Sequence, residues 1–158
     1  MKLTCNNITV DFSGLRALNK VSLSVETKEI LGLIGPNGSG KTTLLNVLGG
    51  QLKSNEGSVK KDNLDITTMP PRLRVKNGLA RSFQIVRTFE SLSVFDNVKS
   101  ASLTTSKSNF EKNNYCNEII SYIGLNKIKN ELANTLNYGD RRRLEIARAM
   151  ATSPDFLL

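Results

Sequence analysis

Histidine is absent from the 158-residue sequence. That absence removes an imidazole general base, a Ser/His triad and every histidine-containing metal site. Long apolar runs are missing too: stretches such as Ile30 to Ile34 fall far short of the ~20 residues a membrane helix needs. No charged-then-apolar leader opens the chain, so neither a membrane span nor export is expected. Cysteine is confined to Cys5 and Cys116. Far apart and without a secretion signal, they are expected to be free thiols in a reducing compartment. Repeats and Pro-rich or Gly/Ser-rich linkers are absent, and the length suits one domain's worth of core. Acidic residues are few, 14 against 22 Lys and Arg, for a net charge of +8. Such a surplus favours nucleic acid, anionic lipid or phosphorylated ligands, although a soluble basic surface gives the same balance.

What is present is patterned. Leu3 to Phe12 and Val21 to Val25 alternate apolar and polar residues around a Ser13-Gly14 turn and a Leu15 to Asn19 stretch, which reads as two strands of an antiparallel layer. Ile30 to Ile34 reads as a buried strand entering a loop. Lys41 to Leu48 carries Leu44, Leu45 and Leu48 at helical spacing, and Gly49-Gly50 ends it. A Gly57 to Lys61 strand, a short helix opened by Pro70-Pro71 and a Leu79 to Gln84 strand follow. From Val94 to Leu136 the chain leans helical, with Ile119, Ile120 and Ile123 on one face and a loop over Thr104 to Asn109. A further helix is expected from about Arg141 to Ala151, closed by Pro154, before Asp155 to Leu158 opens another strand. The fold class is therefore α/β.

Gly35-Pro36-Asn37-Gly38-Ser39-Gly40-Lys41-Thr42 matches GxxxxGK[ST] at every fixed position, with the strand before and the helix after that the motif requires. Phosphate oxygens crowd acceptors and negative charge together, so they need many close donors. Glycines let backbone N–H groups point inward without Cβ clashes, and the helix N-terminus at Lys41 adds its dipole and unpaired amides. Lys41 can reach β- and γ-phosphates, and the Thr42 hydroxyl can ligate Mg²⁺ beside Thr43. Guanine selectivity is unsupported, since the nearest NKxD candidate, Asn126-Lys127-Ile128-Lys129, has Lys where an acid must read the base.

The loop and three further segments resemble an ATP-binding cassette (ABC) ATPase, the nucleotide-binding subunit of ABC transporters. Val10 to Gly14, with Ala17-Leu18 before Val21-Ser22-Leu23, resembles the adenine-side region, where Phe12 would stack on the base. Ala80-Arg81-Ser82-Phe83-Gln84, followed by Arg87-Thr88-Phe89 and Leu92-Ser93-Val94, is similar to the Q-loop segment; the resemblance gives Gln84 to Mg²⁺ or the attacking water. Leu136-Asn137-Tyr138-Gly139-Asp140 and the helix after it resemble the ABC signature, which caps the γ-phosphate held by the opposite subunit. Here Asn137 stands for Ser, Tyr138 for the first Gly and Asp140 for Gln. The Tyr138-Gly139 form with the Arg142 to Ala149 helix is most similar to subunits that power branched-chain amino acid import. Arg141 to Arg143 read as helix-face charge rather than a nucleic-acid patch, since no aromatics interleave them.

The resemblance implies a P-loop core with an antiparallel β layer over residues 1–93, a helical subdomain over 94–140, and a signature helix plus the start of the Walker B strand over 141–158. ATP and Mg²⁺ would be the ligands, and permease subunits and a second ATP-binding subunit the partners. No direct nucleic-acid contact is expected, and the place would be the cytoplasmic face of the plasma membrane. The family's Asp-Glu pair and switch histidine do not occur in these residues, so no catalytic residue is assigned and the chain alone is expected to be inactive. A fragment, a decayed reading frame and an artificially shortened chain all fit. Two other functions stay open: a soluble ABC-type ATPase acting on DNA or ribosomes, and a non-catalytic nucleotide-binding remnant.

Overall fold

The structure, a computed structural model, describes residues 1–82, 88–106 and 108–158. These form two compact units, Met1–Arg74 with Leu158, and Val75–Leu157. In the first, β1 (Lys2–Phe12), β2 (Leu15–Glu26), β3 (Glu56–Lys61) and β4 (Leu64–Asp65) build an antiparallel sheet in the order β2-β1-β3-β4. Ser13 and Gly14 have φ of 37° and 94°. Positive φ at both central residues is what a type I′ hairpin turn requires, and its twist matches that of the flanking strands. The turn pairs Phe12 directly with Leu15. Thus β2 begins at Leu15, and the stretch to Asn19 that the sequence set apart belongs to the strand. Opposite β3, the register of β1 breaks between Asn6 and Thr9. Gly57, at φ +91°, sits there against the Asn6 and Asn7 carbonyls, with no room for a Cβ.

One face of this sheet is dry. Leu3, Cys5, Ile8, Val10 and Val59 are buried, as are Leu44, Val47 and Leu48 of α1 (Lys41–Leu48). The expected strand at Ile30 to Ile34 is not formed, because among the described residues no ladder pairs with it. With neither edge paired, Ile30 is 98% and Ile34 97% exposed.

The short helix α2 (Pro71–Lys76) leads into the second unit, where β5 (Leu79–Ala80) pairs in parallel with β6 (Phe156–Leu157). β5 is shorter than the Leu79 to Gln84 strand read from sequence: Arg81 and Ser82 leave the ladder, and Phe83 to Arg87 lie outside the described residues. Helices α3 (Val94–Ser102), α4 (Asn109–Ile123) and α5 (Tyr138–Ala151) follow. Ser93 caps α3, and Ser108 with Glu111 forms a capping box on α4. The helices close over Val94, Val98, Cys116, Ile119, Ile120 and Leu144, all buried. Within that core Asn97 is fully buried yet satisfied: Oδ1 accepts from Phe89 N at 2.8 Å, while Nδ2 donates to the Phe89, Leu92 and Ser93 carbonyls. It thereby pins the segment entering α3.

Candidate functional site

The glycine loop and the start of α1 form the phosphate-binding geometry. Gly38 and Gly40 have φ of +81° and +87°, a region that L side chains enter only with strain. Gly40 is doubly constrained. A Cβ there would lie 2.6 Å from Ala17 O and 2.7 Å from Leu18 Cδ2, so only glycine lets the loop lie against β2. Gly35 has a similar close neighbour, with Ser39 Oγ 2.8 Å from where its Cβ would be. Ser39 N donates to Pro36 O at 3.2 Å, which folds the loop on itself around exposed Asn37.

At the N-terminus of α1 no side chain caps the first turn and no acidic residue lies in it. The first amides of a helix have no intrahelical acceptor, and here no carboxylate opposes their positive field. Lys41 Nζ donates to Gly35 O at 2.8 Å, Pro36 O at 2.7 Å and Ser39 Oγ at 3.3 Å. Its three donors are thus spent on its own loop, against oxygens that a phosphate oxygen can replace. Thr42 is exposed and Thr43 half-buried. Beside them lies a cavity of about 300 Å³ lined by Leu18, Val21, Leu33, Ile34, Gly35, Pro36, Ser39, Gly40, Lys41 and Leu44.

Phe12 does not line that cavity. It stands at the hairpin end, 45% exposed, next to the Asp11–Arg16 ion pair of 2.9 Å. Leu18 and Val21 of β2 form that wall instead. Alternation placed Val21 on a strand and left Leu18 in the stretch before it, and nothing in the pattern marked either as cavity-lining. Gln84 lies outside the described residues.

Asn137, Tyr138, Gly139 and Asp140 lie together at the start of α5 in the second unit. Asn137 is the N-cap, so the helix begins three residues before the expected Arg141. Asn137 Oδ1 accepts from Asp140 N at 2.9 Å and Nδ2 donates to Asp140 Oδ2 at 2.7 Å. Arg143 holds the other Asp140 oxygen at 3.3 Å. The Asp140 carboxylate is therefore partly compensated inside its own turn. Tyr138 is 74% exposed, and Gly139 has Asn137 Oδ1 3.3 Å from where a Cβ would lie. The arginines that follow are also engaged: Arg141 donates to Leu136 O and Asn134 O, and Arg142 pairs with Glu145. That agrees with helix-face charge. Further along α5, the Arg148 guanidinium lies 4.7 Å from the centroid of the Phe89 ring. Burial lowers the pKa of Arg148, partly offset by Glu145.

Residues 18–158 match the ABC transporter family. BraF, a high-affinity branched-chain amino acid transport ATP-binding protein of Pseudomonas aeruginosa, is 34% identical over 99% of this chain and 67% of its own length. LptB, a lipopolysaccharide export system ATP-binding protein of Escherichia coli, is likewise 34% identical, over 99% of this chain and 65% of its own. The chain thus spans about two thirds of the length of these curated relatives. Among solved structures, the ADP conformation of MJ1267, an ATP-binding cassette of an ABC transporter, superposes with a TM-score of 0.87 at 31% identity, over 99% of this chain and 67% of that one. The dimeric structure of MJ0796, a bacterial ABC transporter cassette, gives 0.85 at 26% identity, over 98% and 72%.

Proposed function

Because the chain belongs to the ABC transporter family of ATP-binding cassettes and has the α/β fold of its ATPases, we propose that it binds MgATP at the Gly35–Thr43 loop as the ATP-binding subunit of an importer. The observation that carries this is the donor set: unpaired α1 amides, a glycine-shaped loop and Lys41 parked on exchangeable carbonyl oxygens. On binding, Lys41 exchanges Gly35 O and Pro36 O for β- and γ-phosphate oxygens. The N–H groups of Gly38 and of Gly40 to Thr43 face the same anion, and the Thr42 hydroxyl would hold Mg²⁺. Bound Mg²⁺ would neutralise phosphate charge, and the resemblance gives Gln84 to that ion or to the attacking water. Phe12 stacks on the adenine.

The start of α5 serves a second copy. Asn137, Tyr138, Gly139 and Asp140 face nucleotide held by the partner subunit, and permease subunits place the pair on the inner face of the membrane. Among the described residues no helix is long and apolar enough to cross a membrane. Branched-chain amino acids are the proposed cargo, supported by the Tyr138-Gly139 form and by BraF. Lipopolysaccharide export is the second reading, since LptB is equally identical.

Titration calorimetry with MgATP tests the site. Lys41→Ala removes a charge-assisted contact and is expected to weaken binding by about 1.5–3 kcal/mol. Equal affinity of the two proteins would remove the loop from the function.

A further inference from the structure

The phosphate-loop helix is gripped at its far end by a buried cation. Gly49 and Gly50 stop α1 after Leu48, and the last carbonyls of a helix lack intrahelical partners. Arg74 of α2 reaches them. Its two terminal nitrogens and Nε donate to Val47 O at 2.7 Å, Leu48 O at 2.6 Å, Thr67 O at 2.8 Å and Met69 O at 2.9 Å. The residue is 1% exposed. A cation so buried usually meets a carboxylate, yet each of these bonds ends on a backbone carbonyl.

Gly50 makes the space. At φ +78° it lies where a Cβ would come within 2.8 Å of Arg74 Nε and 2.9 Å of Met69 O. The cation also sits at the negative end of the helix dipole. α1 has eight residues, too few to be stable alone and only about 12 Å long. Its placement must come from anchors at its ends, and the phosphate loop is one of them.

We infer that Arg74 is a positioning residue for the phosphate loop: by holding the Val47 and Leu48 carbonyls it sets the axial position and rotation of α1, and hence where Lys41, Thr42 and the first-turn amides meet a phosphate chain. The inference rests on the proposed nucleotide site. It concerns placement rather than contact, since Arg74 is at the opposite end of the helix from the ligand.

The test compares Arg74→Met, Arg74→Lys and Gly50→Ala with wild type in two measurements on the folded chain. The first is MgATP affinity by calorimetry, well below each variant's melting temperature. Arg74→Met is expected to lose about tenfold, because a displaced α1 no longer brings Lys41 and its first-turn amides onto the phosphate chain together. Arg74→Lys, whose ammonium has three donors, recovers part of the loss, and Gly50→Ala, which crowds the guanidinium, follows Arg74→Met. The second is amide hydrogen exchange without nucleotide, expected to quicken in Leu44 to Leu48 while Leu3 to Val10 of β1 keep their rates. Wild-type affinity in folded Arg74→Met overturns the inference, as does exchange that quickens equally in β1 and α1, which marks general loss of stability. If Arg74→Met does not fold, the other two variants carry the same comparison. Should Lys41→Ala also bind like wild type, the nucleotide reading fails by itself, and the exchange pattern still decides whether Arg74 orders α1.

Discussion

Gly40 shows how much one residue can fix. Its φ of +87° and the near approach of Ala17 O and Leu18 Cδ2 make alanine costly twice over. The left-handed backbone alone is worth about 1–2 kcal/mol against an L residue, and the Cβ must then displace a strand. Gly40→Ala is expected to lower stability in urea unfolding by more than that backbone cost and to abolish MgATP binding; a neutral result would mean that the loop is not seated on β2. Phe12 tests the proposed adenine contact separately. Phe12→Ala should cost about 1–3 kcal/mol of ATP affinity, and Phe12→Trp should preserve it, whereas unchanged binding by folded Phe12→Ala would end the stacking role. At this scale the glycines were legible because a turn motif states its conformational needs in residue type. Arg74 was not legible. An arginine in a short proline-opened helix reads as surface charge, and only the three-dimensional meeting with the end of α1 reveals its acceptors.

Among the elements, α1 was readable to the residue, with Gly40 and Gly49 marking both ends in sequence. α5 starts three residues before the expected Arg141 because the capping residue is Asn137, whose side chain takes Asp140 N into the first turn. The cap makes a prediction. Asn137→Ala should destabilise by about 1 kcal/mol through loss of the bond to Asp140 N, and Asn137→Ser should retain most of it. Thermal melts decide, and equal melting of wild type and Asn137→Ala would show that α5 does not depend on its cap. Asn137 thus has a structural occupation at the place where the resemblance assigns it a nucleotide contact, and Asn137→Asp separates the two by keeping a capping oxygen while presenting phosphate with a like charge. Ile30 to Ile34 was misread for a different reason. Apolar composition expresses a demand for cover, but strand formation needs a neighbour with free N–H and C=O groups, and that neighbour is not encoded in the segment.

For the whole molecule, the exposed Ile30 and Ile34 beside the phosphate loop predict self-association. Light scattering at rising concentration should detect it, Ile30→Lys with Ile34→Lys should relieve it, and scattering independent of concentration in wild type would contradict it. The two buried thiols supply a clock for each half of the molecule. Cys5 lies in the first unit and Cys116 in the second, and in both, burial raises the thiol pKa. Each therefore stays protonated and slow toward disulfide reagents until its own unit opens, so the order in which a chromogenic disulfide labels the two positions in mild denaturant records which half of the chain lets go first.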